Sequence, residues 1–465
     1  MEPRPLHYIA AAVSGELRHG SPGRTVARVC TDSRLAQPGD LFFALAGPRF
    51  DAHAFLPDVA RRGVGAVVAG RDKLPADFCQ CPVIAVGDTR RALGQLGARY
   101  RRDFDLPVIA VGGSNGKTTT KELIASVLRQ QKAVLCSEAS YNNEIGVPLT
   151  LLRLEHSHQA AVLEAGSNHP GELAPLLQMI APTRGVVTNI GREHLEFFVG
   201  LAGVAREEGA MAEALSTTGT LLLNGDDTWS PSIAARACAR VIRVGLNEGN
   251  DYRAEDIRGG DDGSVFCARC RRAELEGPYR IQLLGRHQVV NALFALAAGA
   301  ELGLDRASIE RGLAACAPPK RRLQLWQTRG VRVLDDTYNA NADSMLAALE
   351  TLRAFPCRGR RVAVLGDMTE LGESSGPAHA EVGRRAAEIG LDQLFAVGTR
   401  AAEMAAAARR GGLGRVAEFA GVEEAAQAVN QFVRPGDAVL VKASRAMRLE
   451  RIAEGLRESN GKTEP

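Results

Sequence analysis

The sequence has almost no net charge, no long apolar run and no regular cysteine pattern. Its 465 residues carry a formal net charge of +3 at pH 7, which gives no reason to expect a nucleic-acid or membrane partner. No apolar run reaches the length of a membrane span, and the N-terminus lacks a basic start followed by an apolar core. We therefore predict a soluble cytoplasmic protein with no membrane insertion.

The nine cysteines are odd in number and scattered, which argues against a disulfide framework. Cys267 and Cys270 form a CxxC pair, but a zinc site needs a second pair or two histidines nearby, and the sequence has neither. The surrounding SVFCARCRRAELEG is typical of a strand and turn. We interpret this cysteine pair as structural.

Length and pattern predict three domains, because 465 residues are many for one domain. A mostly polar stretch at 101–106 precedes a new apolar run, and strands then alternate with helices as far as about 245. A run of antiparallel strands is predicted over 251–285, and Pro318–Pro319 marks the next boundary. The predicted domains are 1–105, 106–319 and 320–465.

The pentapeptide SNGKT occurs twice, at Ser114–Thr118 and Ser459–Thr463. The first copy lies between the predicted strand PVIAV and the predicted helix TTTKELIASVLRQQ. Glycines at such a junction let backbone N–H groups converge on an anion, and the helix dipole adds to the attraction. Lys117 can then supply a charge for the β- and γ-phosphates, and Thr118 a hydroxyl for Mg²⁺.

We therefore predict that the first copy binds a nucleotide, in the shorter spacing G-x-x-G-K-T. The second copy has a helix before it and two residues after it, so we interpret it as a tail. The predicted nucleotide-binding residues of the first copy are Gly113, Ser114, Asn115, Gly116, Lys117, Thr118 and Thr119.

Strands and helices alternate regularly again after residue 320, with RVAVLGD, QLFAVG, RVAEFAG and DAVLVKAS as the strands. Apolar strands that alternate with helices indicate a parallel sheet covered on both faces. The predicted fold class is α/β, with a small mixed α/β N-terminal domain and a Rossmann-like C-terminal domain. The central domain is predicted to be P-loop ATPase-like with an added antiparallel strand segment.

Several motifs, taken with the short P-loop, resemble the Mur ligase family. They occur in the family's order across nearly the whole chain, as TDSRLAQPGDLFF, YNNEIGVPLTLL, LEAGSNHPGEL, TNIGREHLEFF, LGRHQVVNALFALA, DDTYNANADSM, GDMTELGE and VKASRAMRLE. DDTYNAN and GDMTELG are characteristic of the members that add D-alanyl-D-alanine. The Asn-Pro-Arg motif of the members that add diaminopimelate is not found.

This resemblance implies an ATP-dependent amide ligase of peptidoglycan synthesis, which joins D-alanyl-D-alanine to UDP-N-acetylmuramoyl-tripeptide through an acyl phosphate. It also implies two Mg²⁺ ions and a monomer. Another Mur ligase or a folylpolyglutamate synthase-like ligase is the alternative, although the N-terminal DSR and DDTYNAN argue against both. A GTPase-like switch would need an N/T-K-x-D stretch to read guanine, and the sequence has none.

The resemblance also implies roles for residues around the nucleotide. Glu164 ends a predicted strand, where a carboxylate can hold a hard cation, and is implied as a Mg²⁺ ligand beside Thr118. His194 is assigned to a second Mg²⁺ site, and Arg322 matches an arginine that reaches the phosphates from the domain junction. Gln288 stands where the family usually has Asn. The remaining residues implied at the nucleotide are His287, Asn291, Asp336, Tyr338 and Asn339.

The substrate residues rest on the resemblance alone. The uridine diphosphate and the muramoyl portion are assigned to the N-terminal domain, and the dipeptide or tripeptide tail to strand ends that face the cleft. The N-terminal residues are Ser33, Arg34, Arg49, Asp51 and His53. The cleft residues are Asn142, Asn143, Asp367, Lys442, Ser444 and Arg445.

Glu208 marks the clearest departure from the family. After HLE the family usually has a Lys-Gly-Glu stretch whose lysine is carbamylated, and Glu208 stands at the position of that lysine. We predict that Glu208 supplies a negative charge without CO₂, as a catalytic residue beside Lys117, His194 and Arg322. The alternative is a solvated helix residue.

Overall fold

A computed structural model describes residues 1–47, 50–75 and 78–458 of the chain. The predicted architecture is confirmed: three mixed α/β parts follow one another along the chain, and the central part carries the added antiparallel segment. Within the described ranges, no helix is both long and apolar enough to span a membrane. All nine cysteines lie in these ranges and are free thiols.

The N-terminal part is built on a five-stranded sheet of order β2-β7-β6-β5-β4, in which β2 alone is antiparallel to its neighbour. Its strands, with the separate pair β1 and β3, are β1 (Arg4–Pro5), β2 (Glu16–Arg18), β3 (Thr25–Val26), β4 (Val29–Cys30), β5 (Leu41–Phe43), β6 (Ala66–Gly70) and β7 (Val83–Val86). Its helices are α1 (Leu6–Ala12), α2 (Leu56–Arg61) and α3 (Thr89–Arg101).

The central part is built on a nine-stranded sheet of order β16-β15-β14-β13-β12-β11-β8-β10-β9. Its strands are β8 (Val108–Gly112), β9 (Val134–Cys136), β10 (Ala160–Glu164), β11 (Arg184–Val187), β12 (Thr220–Asn224), β13 (Arg240–Gly245), β14 (Tyr252–Gly259), β15 (Ser264–Cys270) and β16 (Gly277–Ile281). Its helices are α4 (Lys117–Leu128), α5 (Gly146–Leu151), α6 (Leu173–Ile180), α7 (Gly200–Glu208), α8 (Ala210–Glu213), α9 (Ser230–Ala234), α10 (Arg286–Glu301) and α11 (Arg306–Ala315).

The C-terminal part is built on a six-stranded sheet of order β17-β18-β22-β19-β20-β21. Its strands are β17 (Gln324–Thr328), β18 (Val331–Asp336), β19 (Arg361–Gly366), β20 (Gln393–Val397), β21 (Val416–Phe419) and β22 (Ala438–Lys442). Its helices are α12 (Ala342–Ala354), α13 (Ser375–Glu388), α14 (Ala401–Arg410), α15 (Val422–Phe432) and α16 (Glu450–Glu458).

Both large sheets are buried on two faces, as their continuous apolar strands predict. In β10, Ala161 and Leu163 pack into one core while Ala160 and Val162 pack into the other, because successive side chains point to opposite faces. The residues of β22 divide in the same way between two further cores. Each sheet is thus held rigidly between helices, and this fixes the loops at its edges.

The strand order decides which loops meet. Strands β8, β10 and β11 are parallel neighbours, so the loop after β8, the end of β10 and the loop after β11 share one edge of the central sheet. In the C-terminal sheet, β18, β22 and β19 are parallel neighbours and bring a second group of loops together. Ligands of open α/β sheets bind outside the carboxyl ends of the strands, which is where both groups lie.

Helix α3 connects the N-terminal part to the central one. It packs against α5 and α6, and the buried Tyr100 hydroxyl donates a hydrogen bond to the Leu154 carbonyl at 2.7 Å. The same hydroxyl accepts a hydrogen bond from the Glu2 backbone N–H. The N-terminal and central parts therefore share one hydrophobic core.

Candidate active site

A cavity of about 490 Å³ lies between the central and C-terminal sheets. It brings together most of the residues predicted for the nucleotide, together with part of the substrate set. The predicted residues that line it are Ser114, Asn115, Gly116, Lys117, Thr118, Thr119, Asn142, Glu164, His194, His287, Asn291, Arg322, Asp336, Tyr338, Asn339 and Lys442.

The loop after β8 forms one end of this cavity and has the glycine geometry of a phosphate loop. Gly113 and Gly116 have φ angles of +105° and +85°, which residues with a side chain rarely adopt. A Cβ atom on Gly113 would lie 2.3 Å from the Thr188 Oγ1, and one on Gly116 would lie 2.7 Å from the Asn291 Oδ1. Helix α4 begins directly afterwards, so its N-terminal N–H groups face the cavity.

Lys117 is held by its own surroundings in this structure. Its Nζ donates to the Gly113 carbonyl at 2.6 Å and lies 3.3 Å from the Glu193 Oε2. Burial opposes the charge on the ammonium group, but nearby carboxylates, above all that of Glu193, outweigh it and raise the pKa of Lys117. Lys117 is therefore a cation at neutral pH.

Thr118 and Glu164 place oxygen atoms together beside the loop. The Thr118 hydroxyl donates to the Glu164 Oε2 at 2.7 Å, and the Asn142 amide donates to the other carboxylate oxygen at 2.9 Å. Carboxylate and hydroxyl oxygens are donors that Mg²⁺ prefers, and Mg²⁺ usually keeps several waters and phosphate oxygens as its other ligands. These donors therefore fit Mg²⁺. Among the described residues, no three His, Cys, Asp or Glu side chains could hold a metal by themselves.

Arg322 reaches this loop from the C-terminal side. Its Nη2 donates to the Thr118 hydroxyl at 2.9 Å, and its guanidinium lies 4.0 Å from the centre of the Tyr338 ring. The neighbours Arg321 and Leu323 have left-handed φ angles of 60° and 49°. Strained backbone of this kind is maintained where the surrounding structure requires it, often at functional sites.

Another part of the cavity wall is formed by α10 and the loops of the C-terminal sheet. Burial lowers the pKa of His287 to about 4, with the Asp336 carboxylate opposing and Lys442 assisting, so this imidazole is neutral at pH 7. The Asn291 amide donates to the Gln288 side-chain oxygen at 2.8 Å. The longer amide at position 288 thus turns back onto the helix and lines the cavity.

His194 lies in the loop after β11 and faces the C-terminal part. Its Nδ1 is 2.5 Å from a carboxylate oxygen of Glu370, which comes from the loop after β19. Two further bonds cross the same junction: the Asn341 amide donates to the Asn115 side chain at 2.9 Å, and Arg192 pairs with Asp343. Three contacts between loops of the two sheets therefore border the cavity.

Comparison with known proteins agrees with this arrangement. Residues 111–299 match the Mur ligase middle domain, and residues 321–445 match the Mur ligase, glutamate ligase domain. The chain is 34% identical over 459 residues to the UDP-N-acetylmuramoyl-tripeptide–D-alanyl-D-alanine ligase of Bacillus subtilis, covering 98% of this chain and 99% of that relative. The chain belongs to the Mur ligase family.

Solved structures of Mur ligases share the whole fold. A crystal structure of MurF from Acinetobacter baumannii superposes with a TM-score of 0.90 at 34% identity, covering 98% of this chain and 99% of that one. MurF from Thermotoga maritima, solved in complex with ADP, superposes with a TM-score of 0.82 at 27% identity, covering 93% and 97%. The three-part arrangement is therefore that of the Mur ligases.

Glu208, which we predicted to stand at the position of the usual Mur ligase lysine, lies behind the phosphate loop and outside the cavity wall. It is 2% exposed, which rules out the alternative of a solvated helix residue, and it accepts the Gly113 N–H at 2.6 Å. Burial raises the pKa of Glu208 to about 8, although Lys117 lowers it, so the carboxyl holds its proton at neutral pH. This differs from the prediction that Glu208 supplies a permanent negative charge, because burial favours the neutral form of its carboxyl group.

Four other cleft predictions lie outside the cavity wall. Asp367 is turned toward the loop before α14, where it accepts backbone N–H groups of Thr399 and Arg400. Asn143 accepts the N–H of Gly146 at the start of α5. The buried Ser444 hydroxyl donates to the Ala340 carbonyl, and the exposed Arg445 lies 5.8 Å from the Tyr338 ring.

The N-terminal substrate residues lie on the N-terminal part, away from the cavity. Ser33 and Arg34 belong to a short 3-10 turn. His53 is hydrogen-bonded to Asp51 at 2.6 Å and accepts the N–H of Gly70. Arg49 and the second SNGKT copy lie outside the described residues.

Several cavity residues were not assigned a role from the sequence, although most lie inside the quoted motifs. Glu193 precedes His194, Asn341 and Asp343 follow DDTYN, and Glu370 lies in GDMTELGE. The one feature of the sequence that could have identified them is their position next to residues that were assigned to the site. The unassigned cavity residues that make polar contacts across it or with the phosphate loop include Ser140, Thr188, Asn189, Glu193, Asn341, Asp343 and Glu370.

Proposed function

We propose that this chain joins D-alanyl-D-alanine to UDP-N-acetylmuramoyl-tripeptide and converts ATP to ADP and phosphate. It is an ATP-dependent ligase that forms an amide bond, and its product serves peptidoglycan synthesis. The observation that carries the proposal is the cavity itself. A phosphate loop with Lys117, an oxygen pair from Thr118 and Glu164, and Arg322 from the opposite sheet converge there.

The proposed reaction proceeds in two balanced steps. First, an oxygen of the tripeptide's terminal carboxylate attacks the γ-phosphorus of ATP, and the bond to the β-phosphate oxygen breaks to give an acyl phosphate and ADP. Second, the amine nitrogen of D-alanyl-D-alanine attacks the acyl carbon and loses a proton. Phosphate leaves with the oxygen that came from the carboxylate. Phosphoryl transfer depends mainly on positioning and charge neutralisation.

The side chains that surround the phosphate loop fit this chemistry. Lys117 moves from Glu193 to the β- and γ-phosphates when nucleotide binds, because both partners are anionic and the phosphate carries the larger charge. Arg322 supplies a second cation to the transferred group. Thr118 and Glu164 would hold a Mg²⁺ that neutralises phosphate charge. A second Mg²⁺ near His194 is part of the proposal.

The three parts of the chain divide the work in this proposal, with boundaries at 1–105, 106–319 and 320–465. The N-terminal part binds the UDP-muramoyl portion through Ser33, Arg34, Arg49, Asp51 and His53. The central part binds ATP. The C-terminal part receives the dipeptide near Lys442, Ser444 and Arg445, with Asp367 supporting a neighbouring loop and Asn142 and Asn143 on the opposite side.

The proposal also covers the setting of the enzyme. The reaction consumes ATP and UDP-linked precursors, so we place it in the cytoplasm, with one chain containing all the catalytic groups named above. A monomer is therefore sufficient for activity. The third residue of the peptide is lysine or diaminopimelate, and activity measurements with both precursors distinguish the two.

The test is phosphate release with ATP, Mg²⁺, UDP-N-acetylmuramoyl-tripeptide and D-alanyl-D-alanine, with each component left out in turn. We expect phosphate release above background when all four components are present. A comparison of the lysine and diaminopimelate forms of the precursor shows which of them the chain accepts. Release that requires glutamate or a folate in place of these substrates would instead favour another Mur ligase activity or a folylpolyglutamate synthase-like activity.

A further inference from the structure

His194 and Glu370 face each other across the junction of two sheets. His194 follows β11 of the central sheet, and Glu370 follows β19 of the C-terminal sheet. The His194 Nδ1 lies 2.5 Å from the Glu370 Oε2. The side chain of His194 is 17% exposed and that of Glu370 is 46% exposed, so the histidine is the enclosed partner.

The chemistry of this contact fixes which ring nitrogen carries the proton. An ionised carboxylate can only accept hydrogen bonds, so the Nδ1 of His194 must be the donor. In the neutral ring the other nitrogen, Nε2, then has a free lone pair. Because His194 lines the cavity, this arrangement orients an acceptor nitrogen without using a group of its own loop.

The backbone of the two loops also contributes to the contact between His194 and Glu370. His194 and Glu370 both have left-handed φ angles, of 48° and 62°, although neither is a glycine. The Glu370 carbonyl also accepts the N–H of Glu196 at 3.2 Å, so backbone and side chain hold the same two loops. Non-glycine residues in this region cost free energy and persist where the surroundings hold them in place.

We propose that Glu370 is a positioning residue that sets the orientation and the protonated nitrogen of His194. The effect of Glu370 on catalysis rests on the proposed function, because His194 lines the same cavity. The contact between Glu370 and His194 is observed independently of that function. Since the two residues come from different sheets, the pair forms only while the central and C-terminal parts are apposed. Through Glu370, the orientation and the protonated nitrogen of His194 therefore depend on the central and C-terminal parts being in contact.

Nitrogen-15 NMR of the ligand-free full-length chain tests the proposal, with histidine labelled and the His194 signal assigned by comparison with His194→Gln. At about pH 8.5 we expect the neutral form of His194 to carry its proton on Nδ1. Glu370→Ala should shift the proton to Nε2 or to a mixture. Glu370→Gln, which keeps a carbonyl acceptor, should retain the parent form. Glu373→Ala, an exposed residue of the same loop, should also retain it.

A His194 signal that is the same in Glu370→Ala as in the parent would overturn the proposal. The kinetic readout is separate: we expect Glu370→Ala to lower kcat by about 10-fold or more while the KM for ATP changes little, with Glu370→Gln recovering part of the loss. If the parent chain makes no ligation product at all, the proposed function fails, while the NMR comparison still decides the role of Glu370.

Discussion

Replacing Glu208 by Gln should change how the stability of the chain depends on pH. Glu208 is 2% exposed and accepts the Gly113 N–H, and burial raises its pKa to about 8. Gln keeps a carbonyl oxygen that can accept the same N–H, but it cannot ionise. The comparison between the parent and Glu208→Gln therefore isolates the free energy of ionising this one buried carboxyl.

The expected magnitude follows from the difference between the ordinary pKa of 4.5 and the folded value of about 8. An acid with a raised folded pKa binds its proton more tightly in the folded chain. Its stability contribution is therefore fully present below the ordinary pKa and is lost as the pH rises through the folded pKa. Each pH unit in this window lowers the free energy of unfolding by about 1.4 kcal/mol, or about 3 kcal/mol between about pH 5 and pH 7.5.

Thermal unfolding of the two proteins across this pH range provides the assay. A change of about 3 kcal/mol corresponds to a shift of about 6 to 12 °C in Tm for a unit of 150 to 250 residues. We expect the Tm of Glu208→Gln, relative to the Tm of the parent, to rise by this amount between about pH 5 and pH 7.5. Glu248→Gln, at a side chain that is 95% exposed, is the matched control. Parallel pH profiles for the parent and Glu208→Gln would refute the reasoning.

The remaining predictions concern the two SNGKT copies and the lysine position. Lys117→Ala should lower the ligation rate by about 100-fold or more, because the transferred phosphoryl group loses a cation; phosphate release at saturating ATP measures this. Deleting residues 459–465 should leave the KM for ATP within about two-fold, and a loss above about 10-fold would contradict the interpretation of that copy as a tail. Activity should not respond to added bicarbonate, because Glu208 offers no amine for carbamylation; stimulation by bicarbonate in a CO₂-depleted assay would be the contrary result.

Much of the fold follows from periodicity and residue type. The C-terminal strands at 361–366, 393–397, 416–419 and 438–442 form where apolar runs were predicted, because short apolar runs between helices are typical of buried parallel strands. The hairpin of β17 and β18 was not predicted as a pair. Its edge strand, QLWQT, is neither continuously apolar nor strictly alternating, and Gly330, at a φ of +73°, lies in the turn between the two strands.

The site was predictable where a role depends on local geometry. The phosphate loop needs a strand, two glycines and a helix start, all of which the sequence contains in order. Asp367 departs from this pattern, because its contacts come from a neighbouring loop. A carboxylate after a strand was expected to face the cleft, but the nearby backbone N–H groups of Thr399 and Arg400 turn it toward α14.

Contacts between loops of different sheets could not be derived from sequence at all. The pairing of His194 with Glu370 depends on how the central and C-terminal sheets face each other. The pairing of Lys117 with Glu193 depends on how two loops at one edge of the central sheet approach each other. Sequence separation and side-chain direction give no information on such pairs. Glu208 is a related case, because its burial behind Gly113 follows from the packing of α7 rather than from its position in a motif.

The central claim is that the tripeptide carboxylate becomes an acyl phosphate before the dipeptide attacks. The most direct measurement uses UDP-N-acetylmuramoyl-tripeptide labelled with oxygen-18 in its terminal carboxylate, and reads the isotope in the released phosphate by phosphorus NMR. The account predicts that each phosphate released during ligation carries one oxygen from the labelled carboxylate. Ligation that proceeds with unlabelled phosphate would contradict the account.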